Sequence, residues 1–90
     1  MNKVIIFKAG WCGPCKAYAP AIDAAEDTLA ELGIEIERID VDTHPDTAMK
    51  YGVRGIPYTV VESNDSIKTT WSGSKSEFDL IKEVKTALGL

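Results

Sequence analysis

Residues 4–16 read Val4-Ile5-Ile6-Phe7-Lys8-Ala9-Gly10-Trp11-Cys12-Gly13-Pro14-Cys15-Lys16. The first four form a continuous apolar run, the pattern of a short strand buried on both faces. Gly10 breaks the run. Pro14 suits the first turn of a helix, where a missing N–H costs nothing. The stretch therefore predicts a strand passing directly into a helix, with the chain's only two cysteines at the junction.

Downstream, Tyr18, Ile22, Ala25, Leu29 and Leu32 recur at helical spacing and define one apolar face, with Gly33 as the stop. Pro20 falls inside this pattern and is expected to kink the helix rather than end it. Ile34 to Val41 alternates as a strand but slips parity, which predicts a bulge near Arg38. Its charges, Glu35, Glu37 and Arg38, suit a sheet edge. Pro45 to Tyr51 reads as a short helix closed by Gly52. Tyr58–Glu62 and Ile67–Trp71 read as a hairpin turned by Asn64-Asp65. Ser74 with Glu77 predicts a capping box for a last helix whose buried face would be Phe78, Ile81, Val84 and Leu88.

The order is thus β-α-β-α-β-β-α. The first two strands, joined by a long helix, must be parallel with a right-handed crossover. A mixed four-stranded sheet with helices on both sides buries every apolar face.

Ninety residues suffice for a single domain, residues 1–90. With 44% hydrophobic and 27% charged residues, the composition is that of an ordinary globular chain. The net charge of −4 comes without any basic cluster, so nucleic acid is not an expected partner. No apolar run reaches membrane-spanning length. The apolar patch near Met1 is too short for a secretory signal, and no small-residue cleavage site follows it, so the expected location is cytoplasmic. A reducing compartment argues against a permanent disulfide.

What the cysteine pair does is constrained by its position. A helix N-terminus presents unpaired N–H groups and partial positive charge, which favour a thiolate and lower the pKa of Cys12. Lys16 adds a cation nearby. Cys12 is expected to be exposed and to attack a disulfide, and Cys15, one turn in and shielded, to resolve the mixed disulfide. Two other readings weigh less. A bridge closing so short a loop is worth only about 2 kcal/mol in the chain-entropy picture. A closed zinc site needs four ligands, and two cysteines with the lone His44 fall short without carboxylates or a second chain.

Trp11-Cys12-Gly13-Pro14-Cys15-Lys16 resembles the active-site signature of the thioredoxin family. Arg54-Gly55-Ile56-Pro57 resembles its cis-proline loop. Pro20 matches its helix kink, Arg38–Asp42 its second core strand, and Gly73 a glycine beside its substrate groove. The resemblance runs over nearly the whole chain. It implies a cis peptide before Pro57, packed against the cysteines, and a target peptide that binds the Ile56 backbone as an added strand. Trp11, Gly13, Pro14, Gly55, Ile56, Pro57 and Gly73 would surround Cys12, with Lys16 in support. A lowered cysteine pKa is a property of the family, so this expectation is not independent of the resemblance. Trp11 is read as a half-exposed docking surface and Trp71 as core.

The chain also departs from the family pattern. It begins on the Val4–Phe7 strand, so the strand and helix that usually come first in thioredoxins are expected to be missing, as in glutaredoxins. Ile6 stands where the family has a buried aspartate behind the second cysteine, and Arg38 where that aspartate has its lysine. Lys8 replaces a frequent tryptophan, and Tyr58 a frequent threonine.

The resemblance implies a protein disulfide reductase that binds no cofactor and cycles a Cys12–Cys15 disulfide. Its partners would be a flavin-dependent thioredoxin reductase and disulfide-containing proteins, and the chain is expected to be monomeric. A glutaredoxin-like reductase using glutathione is the nearest alternative, favoured by the short fold and disfavoured by Gly13-Pro14. A redox-independent subunit of another enzyme is a third.

Overall fold

The structure, a computed structural model, describes residues 1–90. The elements run β1 (Asn2–Lys8), α1 (Gly13–Glu31), β2 (Ile34–Asp40), α2 (Pro45–Lys50), β3 (Tyr58–Ser63), β4 (Ser66–Ser72) and α3 (Glu77–Leu88). The sheet order is β2-β1-β3-β4, with β1 and β2 parallel and the other pairings antiparallel. The expected order and sheet are both present, and β2 lies at an edge.

β1 shows why a continuous apolar run reads as a central strand. Val4 and Ile6 join one core with Tyr18, Ile22, Ala25 and Leu29 of α1 and Leu80 and Val84 of α3. Ile5 and Phe7, pointing the other way, join a second core with Ile39 and Val60, covered by Ala48 and Tyr51 around α2. The two faces together bury all four residues.

The same division explains β2. The bulge expected at Arg38 is absent: the register with β1 runs unbroken from Asn2↔Ile34 to Lys8↔Asp40. Ile34 and Ile36 pack on the α1 side, whereas Ile39 packs on the α2 side. α2 covers only the far end of its face, so the apolar residues change faces along the strand while the backbone stays regular. The sheet's irregularity lies instead at Val61/Glu62, against β4.

α1 continues through Pro20 and ends as expected, with Gly33 at φ 75°. Leu32, however, is 41% exposed: it is the C-cap, past the last helical residue, where the helical face no longer governs it. In α3 the N-cap is Ser76, whose Oγ accepts the Asp79 N–H at 3.1 Å, and not Ser74. Both serines have an acid three residues on; the helix starts from the later one. Its buried stripe is Leu80 and Val84, flanked by Ile81, Ala87 and Leu88. Phe78 sits on the opposite side of the helix, 72% exposed. The Asn64-Asp65 turn has positive φ at both residues, as a tight hairpin requires. No helix is long and apolar enough to cross a membrane.

Candidate active site

The end of β1 delivers Ala9 through Trp11 to the start of α1. Cys12 N donates to Ala9 O at 3.1 Å, which fixes the turn between strand and helix. Cys12 is the N-cap of α1, in an extended conformation, and Pro14 occupies the first turn. The Cys12 sulfur accepts the backbone N–H of Cys15 at 3.1 Å. A serine hydroxyl makes this contact at ordinary helix starts; here a sulfur makes it. Cys12 and Cys15 are joined as a disulfide, with Cα atoms 5.2 Å apart.

In this oxidised state the expected contrast in exposure is not found. Cys12 is 4% and Cys15 7% exposed, both packed with Ala9 and covered by Val41 and Ile56. The sulfur of Cys12 folds back over the helix start and lies 3.8 Å from the Ile56 carbonyl oxygen. What distinguishes the two cysteines is their hydrogen bonding: Cys12 caps the helix, and Cys15 belongs to its first turn.

The Ile56–Pro57 peptide is cis, as the resemblance implied. Pro57 is buried, and its carbonyl accepts the Gly73 N–H at 2.8 Å, which draws Gly73 to the loop with φ 88°. Gly13, Pro14, Lys16 and Gly55 are exposed around the cysteines, and Ile56 is half-buried. Trp11 is 70% exposed, more than a half-exposed docking surface requires. Its indole N–H donates to Asp42 Oδ2 at 2.9 Å, which holds the ring across the end of β2. Trp11, Val41, Ala48, Val53, Arg54, Gly55 and Ile56 line a depression of about 310 Å³. The structure thus brings Trp11, Gly55 and Ile56 together at the depression, with Pro57 and Gly73 joined behind them.

Several of these neighbours carry no local signal in the sequence. Asp42 reads only as the end of a strand segment. The parallel register, which ends at Lys8↔Asp40, already places Asp42 level with the residues just before Trp11. Val41 reads as the end of an alternating strand, Val53 carries no local signal, and Arg54 reads as part of the proline loop.

Ile6 is 1% exposed in the first core, facing Arg38 in the register on one side and Thr59 on the other. Arg38 is not left without an acid. It reaches α1, 2.6 Å from Asp23 and 3.8 Å from Glu26. Lys8 lies 3.9 Å from Asp40. Tyr18, fully buried, meets Thr59 Oγ1 at 3.3 Å, and burial holds its hydroxyl above the usual tyrosine range. Trp71 packs at the edge of the same core, with Lys75 5.0 Å over its ring; its buried Nε1 lies near the Tyr18 hydroxyl outside hydrogen-bonding geometry.

A cysteine pair at a helix start, beside a cis-proline on the same sheet, defines a thiol–disulfide oxidoreductase. The thioredoxin family model matches residues 1–86. The thioredoxin of Rhodospirillum rubrum is 33% identical over 82 residues, covering 91% of this chain and 78% of that one. The thioredoxin of Pseudomonas aeruginosa is 36% identical, covering 86% and 70%. The X-ray structure of Fasciola hepatica thioredoxin superposes with a TM-score of 0.86 at 30% identity, over 96% of this chain and 80% of that one. The chain belongs to the thioredoxin family and is a disulfide reductase whose redox centre is the Cys12–Cys15 pair.

Proposed function

We propose that Cys12 is the attacking thiolate and Cys15 the resolving thiol in the reduction of protein disulfides. The observation that carries this assignment is the Cys15 N–H donated to the Cys12 sulfur. A helix N-terminus stabilises an anion at its cap, and the same N–H remains available to a thiolate once the disulfide is opened. The Cys12 thiolate attacks one sulfur of the target; a mixed disulfide forms and the other target sulfur leaves as thiolate. Cys15, deprotonated, then attacks the Cys12 sulfur. The Cys12–Cys15 bond forms, and the second target sulfur leaves. Two electrons and two protons pass from the dithiol to the target.

The target peptide lies along Gly55–Ile56 as an added strand, held by main-chain hydrogen bonds that demand little sequence. The 3.8 Å between the Cys12 sulfur and the Ile56 carbonyl supports this placement, because a strand paired there carries its own cysteine to Cys12. With Ile6 in place of a buried acid, the Cys15 proton passes to water or to the departing target thiolate. Electrons come from a flavin-dependent thioredoxin reductase, and the protein works in the cytoplasm as a monomer.

A coupled assay tests this reading. Insulin reduction driven by NADPH and thioredoxin reductase is expected, and it is abolished in Cys12→Ser. Reduction of small mixed disulfides by glutathione with no insulin activity would place the protein with glutathione-dependent reductases instead. A Cys12→Ser, Cys15→Ser variant that retains full biological activity would point to a redox-independent subunit.

A further inference from the structure

The depression beside the cysteines is mostly apolar, and Arg54 is the only charged residue that lines it. Arg54 is exposed, and no carboxylate lies within ion-pair distance of its guanidinium. The acid that holds Trp11 at the same depression, Asp42, is already engaged by the indole N–H. The chain as a whole carries a net charge of −4, so an unpaired cation lining this depression runs against the global field.

Gly55 and Ile56 line the depression, and the Ile56 carbonyl is 3.8 Å from the Cys12 sulfur. A target cysteine bonded to Cys12 therefore places residues one or two positions away over the depression, at roughly 3.3 Å of chain per residue. An apolar side chain fills the cavity between Trp11 and Val53. A carboxylate beside it meets Arg54, whose planar fork suits carboxylates. We infer that Arg54 selects target disulfides whose cysteine is flanked by an apolar residue next to an acidic one. This rests on the proposed placement of the target along Gly55–Ile56.

The test uses short peptides bearing one cysteine as a mixed disulfide with 2-mercaptoethanol. They share a leucine beside the cysteine and differ in the next residue, which is Glu, Gln or Lys. The second-order rate constant for oxidation of the reduced protein is measured for each. Glu should exceed Gln by about threefold to fivefold, the scale of one exposed ion pair, and Gln should exceed Lys. The preference should shrink in about 0.5 M salt. The Glu/Gln ratio should fall to about one in Arg54→Gln and invert in Arg54→Glu. A ratio of one in the unmodified protein, or a preference that survives Arg54→Gln, overturns the inference. Neutral hydroxyethyl disulfide, assayed in parallel on the unmodified protein, separates the two levels. If it is reduced while the peptides show no charge preference, the role of Arg54 falls and the redox reading stands; if it is not reduced, both fall.

Discussion

Arg38 faces Ile6 across the β1–β2 register but turns its guanidinium to Asp23 on α1, 2.6 Å away. The core behind the active site is therefore apolar, and the cation beside it is satisfied at the surface. In Ile6→Asp a carboxyl would enter a position that is 1% exposed, with its nearest cation already engaged. Lost apolar burial and carboxyl desolvation should together cost about 3 kcal/mol or more. The buried carboxyl would ionise later than in the unfolded chain, so the deficit should grow as pH rises above about 4. Urea unfolding of the oxidised forms at acidic and neutral pH checks this. Resolution of the mixed disulfide near pH 7 should also accelerate, because the variant gains a base. Equal stability together with unchanged resolution would show that Ile6 is not what sets either property.

Tyr18 makes a second pH prediction. A tyrosine is neutral when protonated, and burial holds the Tyr18 hydroxyl above its ordinary range. As pH passes about 10 the unfolded chain releases this proton first, so stability falls there. Tyr18→Phe should cost about 1 kcal/mol at pH 7 through the lost bond to Thr59. It should then lose less stability than the unmodified protein between pH 7 and 10.5. Lys3, raised chiefly by its hydrogen bond to Glu37, and Tyr51, raised chiefly by desolvation, also weaken the fold as pH rises. Their contributions are common to both proteins and cancel in the difference. Parallel pH profiles for the two proteins would contradict the assignment.

Asp42 acts through Trp11. Removing the carboxylate in Asp42→Ala frees a ring that is otherwise held by one hydrogen bond. Fixing such a side chain on binding costs about 0.5–1.5 kcal/mol, so kcat/KM for insulin should fall about threefold, mainly through KM. Asp42→Asn keeps an acceptor and should restore most of the loss. If Asn and Ala behave alike, charge and not ring placement is the operative property.

The cap of α3 can be weighed directly. Ser76→Ala should cost about 1 kcal/mol, because Ser76 Oγ accepts the Asp79 N–H. Ser74→Ala should cost less than about 0.5 kcal/mol. Chemical unfolding of the two variants distinguishes them, and the reverse order would restore Ser74 as the cap.

These cases show where the sequence could be read and where it could not. Val4–Phe7 is buried on both faces, so its pattern named a central strand, and Cys12 with Pro14 named the helix start. Local signals failed where two of them competed, as with Ser74 and Ser76, or where coverage changed along one element. The sequence of β2 reads as bulged, although its register is unbroken, because α2 covers only one end of its face. Phe78 fits an apolar spacing with Ile81 yet lies on the solvent side, since the buried stripe of α3 is centred on Leu80 and Val84, on the opposite side of the helix. At the site, the cysteines and the proline loop were legible as motifs. The Trp11–Asp42 bond follows from β1 and β2 lying side by side, and Arg54 is unpaired because no carboxylate comes within reach of its loop; no single stretch of sequence encodes either.

Alkylation of the fully reduced protein across pH 5–9, with each site quantified by mass spectrometry, bears most directly on the chemistry at the α1 cap. Cys12 should react with a midpoint well below the value of about 8.5 for an ordinary thiol, while Cys15 lags behind it. Equal, slow labelling of both cysteines with the profile of free cysteine would mean that the helix start does not create the nucleophile.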